Sequence, residues 1–382
     1  MKTIELFCGI GGFRLACDQL FFRTVWANDI NHLSCRVYAD AFGTTGLYEG
    51  DIRELHSTIP SHDLLTAGFP CQPFSSAGKK MGTRDPRGTL FQEIVKILGS
   101  QSPTFFVLEN VKRLLSMENG DHFATILSAL SELDYFVEWR LLNATHFGLA
   151  QNRERLVIVG TRISDFSESK ITLAPLLDLG SISGHYIDIL KDYHSWRVLD
   201  HHKKRFPTWG VAYKGKCCTS DIDHFSEATP KPSLKDFLDS QPNESFFMDE
   251  TTIIRLRDSV YVDKMVDGVR VLYNQNGGAR MGYTVFGIDG VAPALTASHS
   301  RHYERYKIGD RYRRLTNTEY ARLQGFPDNH CKIASIFDQY ALYGNAVPPP
   351  LAQWAINRLI NAEGIMVEDI EFPKKAQMLL FA

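Results

Sequence analysis

The stretch "TIELFCGIGGF" (residues 3–13) joins a short β-rich run to a glycine turn, and a helical pattern follows it. Glycines at positions 9, 11 and 12 let the backbone of such a turn bend sharply and approach a ligand closely. The turn does not complete the G-x-G-x-x-G pattern of dinucleotide-binding loops. Since tight turns also use glycine, the stretch predicts a strand–turn–helix unit, and a ligand only in combination with other features.

The alternation of strands and helices continues through the first 160 residues. Helical patterns lie between the β-rich runs, for example at 89–99 and 121–133. This alternation predicts an α/β fold with a doubly wound, mostly parallel sheet covered on both faces, and ligands at the carboxyl ends of its strands. The candidate strands are 3–7, 24–29, 63–69, 104–111, 136–144 and 155–162.

The regular alternation of strand and helix patterns is absent between about residues 165 and 300. This part is irregular and proline-bearing, without clear periodicity, and regular structure returns after residue 314. A chain of 382 residues is long enough for one large and one small domain. We therefore expect a second, smaller domain of loops and short strands in this part of the chain.

Composition excludes several classes of protein. No apolar run approaches the roughly 18–20 residues that span a bilayer, and the N-terminus lacks a secretory pattern, so we expect a cytoplasmic protein. The seven cysteines are scattered and odd in number, which argues against a disulfide framework. The adjacent pairs His201–His202 and Cys217–Cys218 lack the usual spacing of zinc ligands, so we expect no metal.

Charge distribution is more informative than the formal net charge of −2. Residues 201–220 contain five lysines and arginines and no acid, and residues 299–314 interleave basic side chains with tyrosines. Such clusters suit phosphate contacts on a polynucleotide. Each cluster alone is equally consistent with a solvated surface.

Two acids at strand ends indicate an adenosine-bearing ligand. Asp29 ends the second strand, where a doubly wound fold binds ribose hydroxyls. Asp51 could accept a hydrogen bond from the adenine amine. With the glycine turn, these acids suggest an adenosine cofactor that needs no pyrophosphate site, although either acid could equally be a turn residue or a helix cap.

The stretch "GFPCQPFSSAG" (68–78) holds a cysteine, Cys71, between two prolines at the end of an apolar run. The simplest interpretation is a small buried side chain in a turn; the alternative is a thiol nucleophile aimed by a stiff backbone. Glu109 ends another apolar strand, where a carboxyl is costly unless it is hydrogen-bonded or functional. In a parallel sheet both side chains would emerge at the edge that carries the glycine turn.

At this point six ordered motifs resemble those of the DNA (cytosine-5) methyltransferases of bacterial and phage restriction–modification systems. The resemblance extends over nearly all of the chain except roughly 165–290. The motifs are "ELFCGIGGF", "GFPCQPFS", "ENV", "QNRERLVIVG", "RRLTNTEYARLQGFPD" and "YGNAVPPPLA".

The resemblance implies a Rossmann-like catalytic domain and a target-recognition domain. The catalytic domain would be discontinuous, comprising residues 1–164 and 331–382, and residues 165–330 would form the target-recognition domain. The cofactor would be S-adenosyl-L-methionine, with S-adenosyl-L-homocysteine as product. Phe7 would stack on adenine, Asp29 would bind the ribose and Asp51 the adenine amine. The implied cofactor-binding residues are Phe7, Gly9, Gly11, Asp29, Ile30, Asp51, Ile52, Pro70, Asn345 and Val347.

The resemblance also implies a mechanism. The thiolate of Cys71 would add to C6 of a flipped-out cytosine and so activate C5. Glu109 would hold or donate a proton at N3, and Arg155 would contact O2. Gln151 and Arg153 would support the site.

Substrate contacts are expected in two further segments. Residues 75–91 suit a loop that closes on double-stranded DNA, and "NQNGGARMGYTVFG" (274–287) suits base-edge contacts through Arg280. The alternatives are a tRNA cytosine-5 methyltransferase and a catalytically inactive DNA-binding relative. We expect a monomer, with a cognate restriction endonuclease as a partner that need not be bound. The expected DNA-binding residues are Ser75, Lys79, Lys80, Arg84, Arg87 and Arg280.

Overall fold

A computed structural model describes most of the chain. The described residues are 1–70, 90–162, 172–177, 204–230, 232–257, 260–274, 284–297, 304–361 and 365–366.

The described residues form a large mixed sheet, a smaller sheet and two short strand pairs. The strands of the first half are β1 (Lys2–Leu6), β2 (Arg23–Asp29), β3 (Leu47–Glu49), β4 (Leu64–Gly68), β5 (Phe105–Val111), β6 (Tyr135–Asn143), β7 (Gln151–Asn152) and β8 (Glu154–Arg162). Those that follow are β9 (Thr172–Ala174), β10 (Trp209–Tyr213), β11 (Lys216–Ser220), β12 (Val260–Val266), β13 (Val269–Asn274), β14 (Val285–Phe286), β15 (Ala292–Pro293), β16 (Arg305–Ile308), β17 (Arg311–Arg313) and β18 (Ile365–Met366).

Helices connect these strands and cover the large sheet. The α-helices are α1 (Gly12–Gln19), α2 (His32–Phe42), α3 (Ile52–Leu55), α4 (Leu90–Gln101), α5 (Asp121–Ser131), α6 (Glu250–Arg257), α7 (Asn317–Gln324), α8 (Ile336–Asn345) and α9 (Pro349–Ile360). Short 3₁₀ segments lie at His56–Thr58, Lys112–Gly120, Ala144–Phe147, Leu234–Phe237 and Glu244–Phe246. Within the described residues, no helix is both long and apolar enough to span a bilayer.

The large sheet has nine strands in the order β11-β10-β6-β8-β5-β4-β1-β2-β3. The pairs from β5 to β3 are parallel, whereas β8 is antiparallel to both of its neighbours and β10 is antiparallel to β6 and β11. Only β8 and β10 therefore run against the other strands of this sheet. The predicted α/β fold with a mostly parallel sheet is confirmed.

Both faces of the large sheet are buried under helices. Successive side chains of a strand point to opposite faces and therefore join different cores. In β5, Phe106 and Leu108 join the core that contains α4 and α5, whereas Phe105 and Val107 join the core that contains α1 and α9. Helix α9 follows Pro348 and begins with Pro349 and Pro350, in its first turn, where the missing N–H groups cost no helical hydrogen bond. A segment from the C-terminal part of the chain thus covers one face of a sheet begun by the N-terminus.

The smaller sheet has the order β12-β13-β14-β16-β17. Its buried side chains share one core with α7 and α8, in which Phe286 and Tyr306 of the sheet pack with Tyr320 and Tyr340 of the helices. Strands β10 and β11 fall within the predicted second domain, yet β10 pairs with β6 and so belongs to the large sheet. The predicted limits of the two domains, 1–164 with 331–382 and 165–330, stay a prediction.

Helix α1 and the segment before α9 approach so closely that only glycine fits between them. A Cβ atom at Gly12 would lie 2.3 Å from the carbonyl oxygen of Val347. We expect Gly12→Ala to destabilise the protein by about 1–3 kcal/mol, because the backbone must shift to relieve the overlap. The measurement is the urea midpoint followed by circular dichroism.

The matched control is Gly99→Ala in α4. Its Cβ would meet nothing closer than the Leu133 side chain at 3.6 Å. This substitution should be neutral or should stabilise by up to about 1 kcal/mol, because alanine favours the helix. Equal midpoints for the two variants would contradict the close contact.

Candidate active site

A cleft of about 800 Å³ opens at the carboxyl ends of β1, β2, β4 and β5. Its volume suits a small-molecule ligand, since such pockets span roughly 300–1,000 Å³. Helix α8 completes the wall from the C-terminal part of the chain. The predicted site residues in the wall are Phe7, Gly9, Asp29, Ile30, Asp51, Ile52, Pro70, Glu109, Arg155 and Asn345.

The glycine turn lies at one end of this cleft. Gly9 and Gly11 have φ angles of 52° and 83°, which glycine adopts without the strain that a Cβ would add. The Gly9 N–H donates to Oδ2 of Asp29 over 2.8 Å, and the Gly11 N–H donates to the Cys8 carbonyl over 2.8 Å. Asp29, the carboxylate predicted to bind ribose, thus also holds the glycine turn.

The two predicted cofactor acids differ in their surroundings. Asp29 is largely desolvated, and this raises its pKa, although its Oδ1 accepts the Asn31 N–H over 2.8 Å. Asp51 caps α3 by accepting the Arg53 N–H over 3.0 Å and also pairs with the Arg53 guanidinium, which lowers the pKa of Asp51. Asp51 is therefore a helix cap that also faces the cleft.

Glu109 and Arg155 form an ion pair in the cleft wall. Arg155 Nε lies 2.8 Å from Glu109 Oε1. The pair forms because β8 runs antiparallel to β5, which brings the start of β8 to the end of β5. Glu109 is only 8% exposed, and burial raises its pKa above the usual range while Arg155 opposes the shift. A carboxyl in this state holds a proton more readily than one in water.

Asn110 also lines the cleft, and the sequence does not predict it as a site residue. Its side-chain Nδ2 donates to the Phe69 carbonyl over 3.0 Å, and its Oδ1 accepts the Val111 N–H over 2.8 Å. Phe69 and Pro70 lead directly into Cys71. The signal in the sequence is an amide at the end of a buried strand, next to the acid of the "ENV" motif.

Gln151 and Arg153 lie away from the cleft and bind main chain. The Arg153 guanidinium donates to the carbonyls of Leu295, Gly344 and Ala346 over 2.8, 2.7 and 3.1 Å. Arg153 is 1% exposed, so these bonds replace water. They fix the residue before β8 to the end of α8 and to the segment after β15.

The Gln151 side chain makes a second connection of the same kind. Its Nε2 donates to the Leu323 carbonyl and to Gln324 Oε1, each over 3.0 Å, and its Oε1 accepts the Leu295 N–H over 3.0 Å. Gln324 in turn donates to the Tyr343 carbonyl. The buried amide pair joins three segments that are distant in sequence.

Several predicted residues fall elsewhere. Gly11 caps α1 without lining the cleft, and Val347 lines a smaller cavity of about 70 Å³ together with Gly9 and Asn345. The predictions for Cys71, Ser75, Lys79, Lys80, Arg84, Arg87 and Arg280 lie outside the described residues.

Comparison with known proteins assigns the family. A family model for C-5 cytosine-specific DNA methylases matches residues 1–361. The chain belongs to this family. It is 33% identical over 357 residues to the type II methyltransferase M1.ScrFI of Lactococcus lactis subsp. cremoris, covering 91% of this chain and 75% of the relative. It is 29% identical over 419 residues to the type II methyltransferase M.BanI of Aneurinibacillus aneurinilyticus, covering 94% and 95%.

Solved structures share the fold of this methylase. A mutant of DNMT2 from Spodoptera frugiperda superposes with a TM-score of 0.64 at 18% identity, covering 94% of this chain and 99% of that chain. The Dnmt2 methyltransferase of S. pombe gives a TM-score of 0.62 at 17% identity, covering 94% and 98%. The predicted Rossmann-like methyltransferase fold is confirmed.

As a member of the family, the methylase uses S-adenosylmethionine as its methyl donor, and the cleft fits that molecule. Gly9 leaves open space where a Cβ would stand, and Asp29 and Asp51 supply carboxylates near apolar Ile30 and Ile52. An adenosine needs acceptors for its hydroxyl and amine groups and apolar surface for its ring. The cleft offers both.

Two buried asparagines should affect different quantities: Asn28 the cofactor affinity and Asn110 the methylation rate. Asn28 Nδ2 donates to the carbonyls of Tyr48 and Gly50, each over 2.9 Å, and so fixes the chain that leads to Asp51. We expect Asn28→Ser to weaken binding of S-adenosylhomocysteine by about 3- to 10-fold with little change in turnover. Calorimetry and single-turnover methylation measure the two quantities.

Asn110→Ser is the matched variant at the other end of the cleft. It should lower the methylation rate by about tenfold or more while leaving cofactor affinity near wild type, because it frees the main chain that carries Cys71. If both variants lost affinity and rate in the same proportion, the two amides would have only a general structural role.

Proposed function

We propose that this DNA (cytosine-5) methyltransferase methylates one cytosine within a specific duplex sequence, by covalent attack of Cys71 on a flipped-out base. The observation that carries this proposal is the Glu109–Arg155 pair in the wall of the cofactor cleft. The pair lies beside Phe69 and Pro70, which lead into Cys71, while the two acids suited to adenosine line the same cleft. What supports the proposal is that a proton donor, a cation and acids suited to adenosine line one cleft together with the two residues that precede Cys71 in the sequence.

The other cysteines support Cys71 as the nucleophile. Cys8, Cys17, Cys35, Cys217, Cys218 and Cys331 are buried. Burial raises the pKa of Cys17, Cys35, Cys217 and Cys331 to about 12 and that of Cys8 well above its usual value. Because the thiolate is the reactive form, these side chains are poor nucleophiles at neutral pH.

The chemistry divides between the side chains as follows. The Cys71 thiolate forms a bond to C6 of cytosine, and the electrons of the C5–C6 double bond move into the ring as N3 takes a proton from Glu109. Arg155 binds O2 and holds the base against the carboxyl. C5 becomes nucleophilic. When bound in the cleft, S-adenosylmethionine supplies the electrophilic methyl group that C5 takes up.

The product is released when the bond between the Cys71 sulfur and C6 breaks. The C5 proton leaves to solvent and N3 returns its proton to Glu109. The electrons of the C5–H bond restore the C5–C6 double bond, and the bond from sulfur to C6 breaks with its electron pair staying on sulfur. Cys71 is thereby returned as a thiolate. The raised pKa of Glu109 favours the protonated carboxyl that the first step needs.

We assign the cofactor contacts by the family pattern. Phe7 stacks on the adenine, Asp29 binds the ribose and Asp51 the adenine amine, and Ile30 and Ile52 flank the ring. The backbone of Gly9 and Pro70, with Asn345, would enclose the rest, and Gly11 and Val347 would support this wall from outside the cleft. What supports these roles is that most of these residues line the one cleft.

The target cytosine lies inside a duplex, so it must be extruded at a cost of a few kcal/mol in stacking and pairing. We assign closure on the DNA to residues 75–91, whose basic side chains suit phosphates, and base reading to the segment that contains Arg280. Duplex DNA is favoured over tRNA because a long segment separates the "QNRER" and "RRLTNTEYARLQGFPD" motifs.

We further infer a role in restriction and modification. The relatives from Lactococcus lactis and Aneurinibacillus aneurinilyticus are named type II methyltransferases. By analogy, this chain acts as a monomer in the cytoplasm and protects sites that a cognate endonuclease cuts, without requiring a complex between the two proteins.

The test is methyl transfer from labelled S-adenosylmethionine to duplex DNA and to tRNA. The wild-type protein should label duplex DNA at one sequence, located by bisulfite sequencing. Cys71→Ala should abolish transfer, because it removes the only proposed nucleophile, and should leave affinity for S-adenosylhomocysteine within about twofold.

Cys217→Ala is the control, since Cys217 is buried in β11 of the large sheet. It should retain activity. Labelling of tRNA alone would favour the RNA-modifying alternative, and no labelling by folded, cofactor-binding protein would favour an inactive relative. Methyl transfer by Cys71→Ala at the wild-type rate would contradict covalent attack by this residue.

A further inference from the structure

His330 connects the C-terminal part of the chain to the glycine turn. It lies in the loop between α7 and α8, is 6% exposed, and its Nε2 is 2.7 Å from the Ile10 carbonyl oxygen. A carbonyl only accepts, so Nε2 carries the proton and donates it.

The surroundings of His330 keep its ring in one orientation. The ring packs against Phe42, with centroids 5.7 Å apart, and against Phe326, with centroids 4.9 Å apart. Burial lowers the pKa of His330, while the Ile10 carbonyl and the charge of Asp40 oppose the shift. The ring is therefore a neutral donor aimed at one acceptor.

The acceptor is the peptide at the centre of the cofactor loop. Ile10 lies between Gly9 and Gly11, the two glycines with positive φ. Glycine has wide conformational freedom, so a loop built on it needs external bonds to hold one shape. Asp29 supplies one such bond from within the first 70 residues, through the Gly9 N–H. His330 supplies another from more than 300 residues away in sequence.

We propose that His330 is a positioning residue that pre-shapes the glycine turn for S-adenosylmethionine. The inference rests on the proposed placement of the cofactor against Gly9. A loop already in its binding shape loses less entropy when the ligand binds, so the contribution falls on cofactor affinity. It does not fall on the chemistry at the base, because His330 is absent from the wall of the cleft.

The experiment compares His330→Phe with His330→Gln in the full-length protein. Phenylalanine keeps the ring between Phe42 and Phe326 but removes the donor, whereas glutamine restores an N–H. We expect His330→Phe to weaken S-adenosylhomocysteine binding and to raise KM for S-adenosylmethionine by about 3- to 10-fold, with kcat nearly unchanged. His330→Gln should recover most of the affinity.

His62→Phe is the matched control for the loss of a buried histidine. His62 is also 6% exposed and its Nδ1 is 2.9 Å from the Pro60 carbonyl, at the opposite end of β4 from the cleft. Melting temperatures are measured for every variant. His62→Phe should lower stability without changing cofactor affinity.

Two outcomes overturn the proposal. Wild-type affinity in His330→Phe would do so, as would equal losses of affinity in His330→Phe and His62→Phe that follow their melting temperatures. Phe7→Ala separates this proposal from the placement of the cofactor. If Phe7→Ala weakens binding and His330→Phe does not, only the role of His330 is wrong. If Phe7→Ala leaves binding unchanged, the cofactor placement fails and the role of His330 fails with it.

Discussion

The rest of the site depends on three hydrogen bonds that the guanidinium of Arg153 donates to main-chain carbonyls. These carbonyls, at Leu295, Gly344 and Ala346, belong to two segments far apart in sequence. The cleft is lined by residues from the first 111 positions, by Arg155 and Ala297, and by α8, so it exists only while these segments stay together. Removing one partner from such a buried charged group typically costs several kcal/mol, which makes the junction a strong determinant of the fold.

Strand direction then decides which side chains meet. The parallel part of the sheet places the ends of β1, β2, β4 and β5 at one edge, and this brings the glycine turn, two acids and Glu109 into one cleft. The antiparallel strand β8 begins at this same edge, and its second residue is Arg155. A sheet with parallel strands alone would have placed the start of that strand at the far side.

The positions of the strands and of the cleft could be predicted from the sequence because their causes are local. Apolar runs such as "TFFVLENV" show that a strand is buried on both faces, and the residues that follow them must lie at the sheet edge. The contacts of Arg153, Asn110 and His330 could not be predicted in this way. Their partners are main-chain carbonyls, which have no signature in the sequence and are selected only by the folded backbone. The same limit applies to β10, whose pairing with β6 depends on an edge that the rest of the sheet leaves free, and to β11, which pairs with β10.

The central claim is that this frame presents Cys71 to C6 of cytosine. It is tested most directly with a duplex that contains the recognition sequence and carries 5-fluorocytosine at the target position. Fluorine cannot leave C5 as a proton does, so the bond from sulfur to C6 persists after methyl transfer. The account predicts a denaturation-resistant adduct whose tryptic peptide, identified by mass spectrometry, carries the modified nucleotide on Cys71. An adduct on another cysteine, or none from protein that methylates the unfluorinated duplex, would contradict it.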